Sequence, residues 1–293
     1  MQRNIRKVDA ERGDSLDEEK IYLDINEWNE LLGIDDSYKA PDALWAILRD
    51  KQRREDLFRE TLERHRYNVG YDWFHRYFQD EHADRANKKQ DFTPDSVATL
   101  LTRLVGGDRK PGDTYYEPCA GTGGITITKW DADRRATPFF DYVPSMFLYQ
   151  TEELSDRAIP FLLFNLAIRG MNASVVHGDV LARRGVKGAF LVQNENDDHM
   201  QFSAIYTFPY NEASADYFNV EWTQVEANRH APVDVIGDFP AHLGGNAFLD
   251  AVKPPVTLNT CGDCGKVFDD KRTAFDYSPE LGDLCAVCAE QAD

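Results

Sequence analysis

The chain has 293 residues, enough for one large domain or two of ordinary size, and 42% of them are hydrophobic, so it can bury a core. No run approaches the roughly 18 apolar residues of a membrane helix and the first residues lack the apolar stretch of a signal peptide, which predicts a soluble, cytoplasmic protein without a membrane partner. Lys and Arg number 33 against 51 Asp and Glu, and the net charge of −18 excludes a uniformly basic nucleic-acid-binding surface.

The N-terminal third is predicted to be helical after a charged tail. Residues 1–20 contain almost no large apolar side chains, which predicts a mobile tail. Between residues 41 and 105, apolar side chains recur at the spacing of one helix face, which predicts a helical subdomain over residues 21–110. Its aromatic cluster is expected to form a packed face rather than a base-stacking surface: Trp73, Phe74, Tyr77 and Phe78.

A further helix is expected to begin within the sequence Asp-Phe-Thr-Pro at residues 91–94. Thr93 suits the N-cap position, because its hydroxyl accepts a hydrogen bond from a free backbone N–H group. Pro94 suits the first helical position, where no N–H donor is needed. The helix is predicted to continue through Val105.

A short predicted strand and a tight loop follow, with the sequence Tyr-Glu-Pro-Cys-Ala-Gly-Thr-Gly-Gly over residues 116–124. Gly121, Gly123 and Gly124 permit backbone angles that a Cβ atom would forbid, and they let N–H groups approach a ligand at a helix N-terminus. The spacing matches neither the phosphate-binding loop of nucleotide hydrolases nor the dinucleotide fingerprint. An acidic residue, Glu117, at the end of the strand favours a positively charged, nucleoside-like ligand.

The string Glu-Pro-Cys-Ala-Gly-Thr-Gly-Gly resembles motif I of adenine-N6 DNA methyltransferases, and in particular the modification subunits of type I restriction systems. This resemblance implies that the loop binds S-adenosylmethionine and that Glu117 faces its methionine moiety. It also implies a Rossmann-like class I methyltransferase sheet. The Phe-Thr-Pro segment resembles motif X of that family, one residue tighter in spacing. The implied cofactor contacts up to this point are Phe92, Thr93, Pro94, Glu117, Pro118, Gly121, Gly123 and Gly124.

From residue 114 to about residue 222, short apolar runs alternate with helical ones, which predicts βαβ units on a parallel sheet. Glu152 and Glu153 follow a predicted second strand at 146–150, and a carboxylate there can accept both ribose hydroxyls; Glu153 matches the family better, and Glu152 is the alternative. A helix is predicted over 155–171. A third strand then ends in Gly-Asp, and the resemblance implies that Asp179 binds the cofactor adenine. His177 is interpreted as a strand histidine.

The family's catalytic tetrapeptide, Asn/Asp/Ser-Pro-Pro-aromatic, has no direct match in the chain. Such a site holds the exocyclic amine of a flipped base with a polar side chain and a proline carbonyl, and stacks the base on an aromatic ring. The nearest candidate is Thr-Phe-Pro-Tyr, in which Thr207, Pro209 and Tyr210 would be the catalytic residues. The alternative is Asp238-Phe-Pro-Ala, which follows a predicted strand at 233–236. Both depart from the motif, which predicts a weakened or inactive site.

The C-terminal region contains two Cys-x-x-Cys pairs, formed by Cys261 with Cys264 and by Cys285 with Cys288. Four thiolates at this spacing suit one tetrahedral zinc ion, and disulfides or a redox pair are the alternatives. We therefore predict a four-cysteine zinc ribbon over residues 256–293, after a methyltransferase-like domain over residues 111–252. A closed site of this kind stabilises a fold rather than catalysing a reaction.

Two functions remain open at this point. The first is a DNA adenine-N6 methyltransferase, an orphan or phage-type relative of type I modification subunits that relies on another protein for sequence choice. The second is an inactive methyltransferase-fold protein that binds the cofactor or a restriction-modification partner, with its acidity mimicking DNA. Arg183, Arg184 and Lys187 are candidates for a local basic patch, although a solvated loop accounts for them better.

Overall fold

The computed structural model describes residues 20–78, 93–105, 110–208, 212–223, 258–260 and 267–269. Within these ranges, the α-helices that precede the sheet are α1 (Ile25–Leu32), α2 (Ala40–Leu48), α3 (Lys51–Arg64) and α4 (Asp95–Val105). Helix α1 begins with a capping box, in which Asp24 accepts from Glu27 N and Glu27 accepts from Asp24 N. It ends at Gly33, whose left-handed φ of 68° suits the C-cap position.

The central sheet alternates with helices in the order β1 (Thr114–Glu117), α5 (Gly124–Ala136), β2 (Leu148–Glu153), α6 (Ile159–Ile168), β3 (Ala173–His177), β4 (Arg184–Val186), β5 (Gly188–Gln193) and β6 (Ala204–Thr207). Helix α7 (Glu212–Phe218) and strand β7 (Glu221–Trp222) follow, with β8 (Leu258–Thr260) and β9 (Val267–Asp269) near the C-terminus. The five-stranded sheet has the order β1-β2-β3-β5-β6, while β4 pairs with β7 and β8 with β9.

The expected α/β fold is confirmed, but the central sheet, predicted to be parallel, is only mostly so. Strands β1, β2 and β3 are parallel, but β5 runs antiparallel to β3 and to β6. Only ten residues separate β3 from β5, and a parallel crossover needs a dozen or more. Strand β6 therefore runs in the same direction as β1–β3, and its last residue, Thr207, lies at the same edge as theirs.

The early helices and the sheet share one hydrophobic core. Trp28 of α1 packs against Phe74 with ring centroids 4.3 Å apart, and Phe58 of α3 meets Phe164 of α6 at 4.9 Å. Trp45 of α2 reaches Phe190 of β5 at 5.7 Å. The predicted packed aromatic face is confirmed, because Trp73, Phe74, Tyr77 and Phe78 are each at most 3% exposed. Residues 20–78 are thus a layer on α6 and the sheet.

Two predicted boundaries are corrected. Strand β2 extends to Glu153, so both glutamates belong to the strand instead of following it. Helix α6 is shorter than the predicted 155–171 because Pro160, which lacks an N–H donor, stands in its first turn, and because Gly170 has a left-handed φ of 64° just after its end. Within the described ranges, no helix has the length and apolar character needed to cross a membrane.

Candidate functional site

The glycine loop connects the end of β1 to the start of α5. Gly121 and Gly123 have positive φ values of 58° and 97°, which side chains rarely tolerate. A Cβ atom on Gly123 would also lie 3.0 Å from Leu162 Cδ1 of α6. Gly123 is the N-cap of α5, so the backbone N–H groups of the loop lie at the N-terminus of that helix. The predicted turn chemistry is therefore present at these two glycines.

Two carboxyl groups project from neighbouring strands onto the same side of this loop. Glu117 pairs in register with Thr151, and since side chains alternate along a strand, Glu117 and Glu153 share a face of the sheet. Glu153 accepts from Gly121 N through Oε2 and from Ser155 N through Oε1, both over 2.7 Å. Glu153 thus holds the backbone of the glycine loop in place at Gly121.

Glu117 is 6% exposed and accepts a hydrogen bond from the Thr126 hydroxyl. The pKa of Glu117 is raised to about 7, chiefly by burial and to a smaller extent by the nearby Glu153 carboxylate, while the hydrogen bonds from Thr126 oppose the shift. A buried acid that titrates near neutral pH beside a glycine loop is typical of a functional site. The charged form of Glu117 would be favoured by a cation in the pocket.

The residues around this space form one open pocket, drawn from three parts of the chain. The loop and the strand ends supply Glu117, Cys119, Ala120, Gly121, Thr122, Gly124, Ile125, Glu153, Ser155 and Ala158. The start of α4 supplies Thr93, and residues 72–75 supply Asp72 and His75. These lining residues include three carboxyl groups and no lysine or arginine. The pocket therefore suits a ligand that carries positive charge.

Sequence reasoning missed Asp72, which closes the pocket from the helical layer. Its carboxyl group is 3% exposed and accepts from the Thr122 hydroxyl, from Asn165 Nδ2 over 2.9 Å and from Phe74 N over 3.0 Å. Burial raises the pKa of Asp72 against these hydrogen bonds. The available signal was an acidic residue inside the apolar run of Tyr71, Trp73 and Phe74, where a charge is costly unless it has partners.

The structure separates the two candidate glutamates of β2. Glu152 points to the opposite face of the sheet, where both its oxygens contact Arg183 Nη1 at 2.8 and 2.7 Å and Oε1 accepts from Tyr116 Oη at 3.0 Å. Glu153 lies in the pocket. The suggested basic patch is partly neutralised, because Arg183 pairs with Glu152 and Lys187 pairs with Asp156.

Several predicted site residues lie beside the pocket rather than in its lining. Pro94 accepts from Ala98 N over 3.0 Å at the start of α4, so that helix begins one residue later than predicted. Pro118 and Gly123 belong to the loop but are not among the residues that line the pocket. Asp179 follows the residue whose N–H binds Glu153 O at 3.0 Å, and its Oδ1 caps Leu181 N and Ala182 N. Phe92 lies outside the described residues.

The structure describes only some of the residues that were predicted to be catalytic or metal-binding. Thr207 ends β6, three positions along the sheet from β2, and does not line the pocket. Pro209, Tyr210 and the segment around Asp238 lie outside the described residues, as do Cys261, Cys264, Cys285 and Cys288. In the part of the chain that the structure describes, no group of three or more His, Cys, Asp or Glu side chains is arranged to hold a metal.

The sequence model of the family described as N-6 DNA Methylase matches residues 64–234, more than half of the chain. The chain belongs to the N-6 DNA methylase family. The match contains the glycine loop, both pocket glutamates, Asp72 and Asp179, so the pocket lies within the part of the chain that carries the family's sequence. A search of curated proteins returned no match.

Membership of the N-6 DNA methylase family confirms the resemblance to adenine-N6 DNA methyltransferases that the string at residues 117–124 carries. It makes S-adenosylmethionine the expected cofactor and DNA the expected substrate. The lining fits this cofactor, because its sulfonium and ammonium groups are cations that the carboxyl groups of Asp72, Glu117 and Glu153 can stabilise.

His177 behaves as predicted, since it is buried beside Asp156 and burial lowers its pKa to about 4.

Proposed function

We propose that this chain is an S-adenosylmethionine-dependent DNA adenine-N6 methyltransferase related to type I modification subunits. One observation carries the proposal: an acid, a glycine loop with two left-handed glycines and a second acid enclose one pocket whose lining contains no lysine or arginine. Pyrophosphate-binding loops have the opposite charge preference. The arrangement therefore favours a cationic nucleoside cofactor over a dinucleotide.

The cofactor is proposed to lie along the carboxyl edge of the sheet, with its methionine moiety at Glu117 and its ribose at Glu153. The pocket encloses about 200 Å³, less than the roughly 300–1,000 Å³ of most small-molecule sites. An adenosyl group would therefore extend beyond it, toward Asp179. The two oxygens of Glu153 already accept from Gly121 N and Ser155 N, and each retains acceptor capacity for a ribose hydroxyl.

The sheet order bears on which segment holds the target amine. With strands about 4.8 Å apart, the end of β6 lies roughly 14 Å from β2 and farther from β1. Methyl transfer requires reacting atoms about 3–3.5 Å apart, which Thr207, Pro209 and Tyr210 would meet only if the target base reached across the sheet. We propose that the alternative segment, with Asp238 and Pro240, supplies the acceptor groups.

Transfer of a labelled methyl group to unmethylated DNA tests this function. We expect wild-type protein to transfer label, Asp238→Ala to lower turnover at least about tenfold and Thr207→Val to change it less than about threefold. Cofactor binding by both variants, measured calorimetrically, is the control. The opposite ranking would restore Thr207 as the acceptor. Tight cofactor binding without any transfer would instead support the inactive, partner-binding alternative that the missing tetrapeptide and the charge of −18 favour.

Cofactor binding is expected to strengthen as the pH rises through 7. The raised pKa of about 7 means that Glu117 is largely protonated below this pH, and the cation must then displace its proton. Affinity should fall by up to about tenfold per pH unit below 7, with one proton released per cofactor bound. Titration calorimetry at pH 6 and 8 measures both, and Glu117→Gln is the control that removes this dependence. The other carboxyl groups that face Glu117 across the pocket belong to Asp72 and Glu153.

The C-terminal region is proposed to form a zinc ribbon held by Cys261, Cys264, Cys285 and Cys288. Support comes from the spacing of the cysteines and from the antiparallel pairing of β8 with β9, between which the first Cys-x-x-Cys pair lies in the sequence. About one zinc ion per chain is expected by elemental analysis. Zinc-free, fully folded protein would contradict the ribbon.

Sequence choice on DNA is proposed to depend on a separate specificity or partner protein, as for type I modification subunits. The acidic composition and the internal pairing of Arg183 and Lys187 leave little basic surface among the described residues around the pocket. Binding to random duplex should accordingly be weak and should depend only slightly on salt concentration, because few phosphates are neutralised. Cytoplasmic location and a role in restriction-modification, in an orphan or phage-type system, are parts of the same proposal.

A further inference from the structure

Four buried polar side chains form a continuous hydrogen-bonded chain from helix α6 to the glycine loop. Arg169 Nη1 donates to Asn165 Oδ1 over 2.9 Å, Asn165 Nδ2 donates to Asp72 Oδ1 over 2.9 Å, and the Thr122 hydroxyl donates to Asp72 Oδ2. Each of the four residues is at most 4% exposed. Because these buried groups satisfy one another, the chain fixes a single arrangement of the elements that it joins.

The end of this chain at α6 holds the segment that carries Asp72. Arg169 donates from Nε to the carbonyl of Val69 over 2.8 Å and from Nη2 to the carbonyl of Tyr71 over 2.6 Å. Its guanidinium also lies 4.3 Å from the centre of the Trp73 ring. Arg169 therefore anchors the backbone before Asp72 and the side chain after it, and the Asp72 carboxyl group is directed at the loop.

The other end of this hydrogen-bonded chain of side chains holds the glycine loop at its middle residue, Thr122. Thr122 is bound through its hydroxyl by Asp72 and through its carbonyl by Asn165 Nδ2 at 2.7 Å. Its neighbours, Gly121 and Gly123, both have positive φ and little intrinsic conformational restriction. Anchoring Thr122 therefore limits the freedom of both glycines.

We propose that Asp72 is a positioning residue that acts through Thr122 to hold the glycine loop in its cofactor-binding conformation. The identity of the ligand rests on the proposed function, but the positioning of the loop does not. Residues 69–73 lie some fifty positions before the loop, so the helical layer is a working part of the cofactor site. Removing the hydrogen bond between Asp72 and Thr122 is therefore expected to increase the mobility of the loop before any ligand is present.

A direct electrostatic role for Asp72 makes different predictions. Asp72 lines the pocket, so its charge alone can attract a cation. If charge is what matters, Asp72→Asn is as harmful as Asp72→Ala, and Thr122→Val is harmless. If positioning is what matters, Asp72→Asn keeps most of the hydrogen bonds and Thr122→Val reproduces the defect of Asp72→Ala. The raised pKa of Asp72 supports the second case, because it favours the uncharged form that asparagine resembles.

Calorimetric titration with S-adenosylmethionine distinguishes the two roles. We expect Asp72→Ala and Thr122→Val each to weaken binding at least about tenfold, the double variant to be little worse than either, and Asp72→Asn and Thr122→Ser to stay within about threefold of wild type. Thr151→Val is the matched control. Thr151 is 1% exposed and donates to Ser174 O over 3.1 Å, but it does not line the pocket.

Amide hydrogen exchange without ligand gives a second, independent readout. Residues 120–125 should exchange faster in Asp72→Ala and Thr122→Val than in wild type, and Thr151→Val should leave them unchanged. Unchanged exchange in Asp72→Ala, or the charge-type ranking of affinities, would overturn the proposal. If wild-type protein fails to bind S-adenosylmethionine, the proposed function is wrong, while the exchange result still decides whether Asp72 positions the loop.

Discussion

Glu153→Ala is expected to weaken S-adenosylmethionine binding by about a hundredfold or more, from the loss of hydrogen bonds to a charged group worth about 1.5–3 kcal/mol each. Glu153 now accepts from Gly121 N and Ser155 N, and it is the proposed acceptor for the ribose hydroxyls. Its removal therefore loosens the loop and deletes a ligand contact together. Calorimetric titration of the folded variant measures the loss.

Glu152→Ala is the matched control for this experiment. Glu152 is the adjacent residue on the same strand, but it faces the other side of the sheet and pairs with Arg183. Its removal should change cofactor affinity less than about threefold, because Arg183 is partly exposed and can be hydrated instead. A larger loss from Glu152→Ala than from Glu153→Ala would mean that the cofactor binds on the face of the sheet that carries Glu152, contrary to our proposal.

Gly123→Val is expected to abolish measurable cofactor binding. Gly123 has a φ of 97°, and any Cβ atom would lie 3.0 Å from Leu162 Cδ1. A β-branched residue is strained at this φ whatever the surrounding space, and strained backbone of this kind costs about 1–3 kcal/mol, so we expect the loop backbone to shift together with the Leu162 side chain. Since Gly123 is the N-cap of α5, the displacement falls on the N–H groups that face the pocket.

Gly33→Val separates loss of the site from loss of stability. Gly33 has a similar left-handed φ of 68°, no other atom lies within 4 Å of the position that a Cβ atom would take, and it ends α1 far along the sequence from the loop. The control should lower the free energy of unfolding while preserving cofactor affinity. Zinc content, if the ribbon forms, should be unchanged in both variants. Normal binding by Gly123→Val would mean that the loop is not the cofactor site.

Local features of the site followed from sequence, because short-range sterics and charge determine them. The glycine loop and the acid before it could be identified from residues 116–124 alone, since positive φ and close backbone approach need glycine. The late start and early end of helix α6 also have local signals, Pro160 in its first turn and Gly170 just after its end.

Long-range features could not be derived in the same way. The contact between Asp72 and Thr122 joins residues fifty positions apart, and no local sequence pattern indicates it. The choice between Glu152 and Glu153 depended on which face of β2 meets the loop, which the register of β1 and β2 decides. The reversal of β5 depended on the length of its connection to β3, which excludes a helical crossover.

The most direct test of this account is a crystal structure of the chain grown with S-adenosylmethionine. We predict density for the methionine moiety beside Glu117 and Thr122, for the ribose against Glu153 and for the adenine toward Asp179. Density on the opposite face of the sheet, beside Glu152 and Arg183, or a pocket that excludes the compound at saturating concentration, would contradict it.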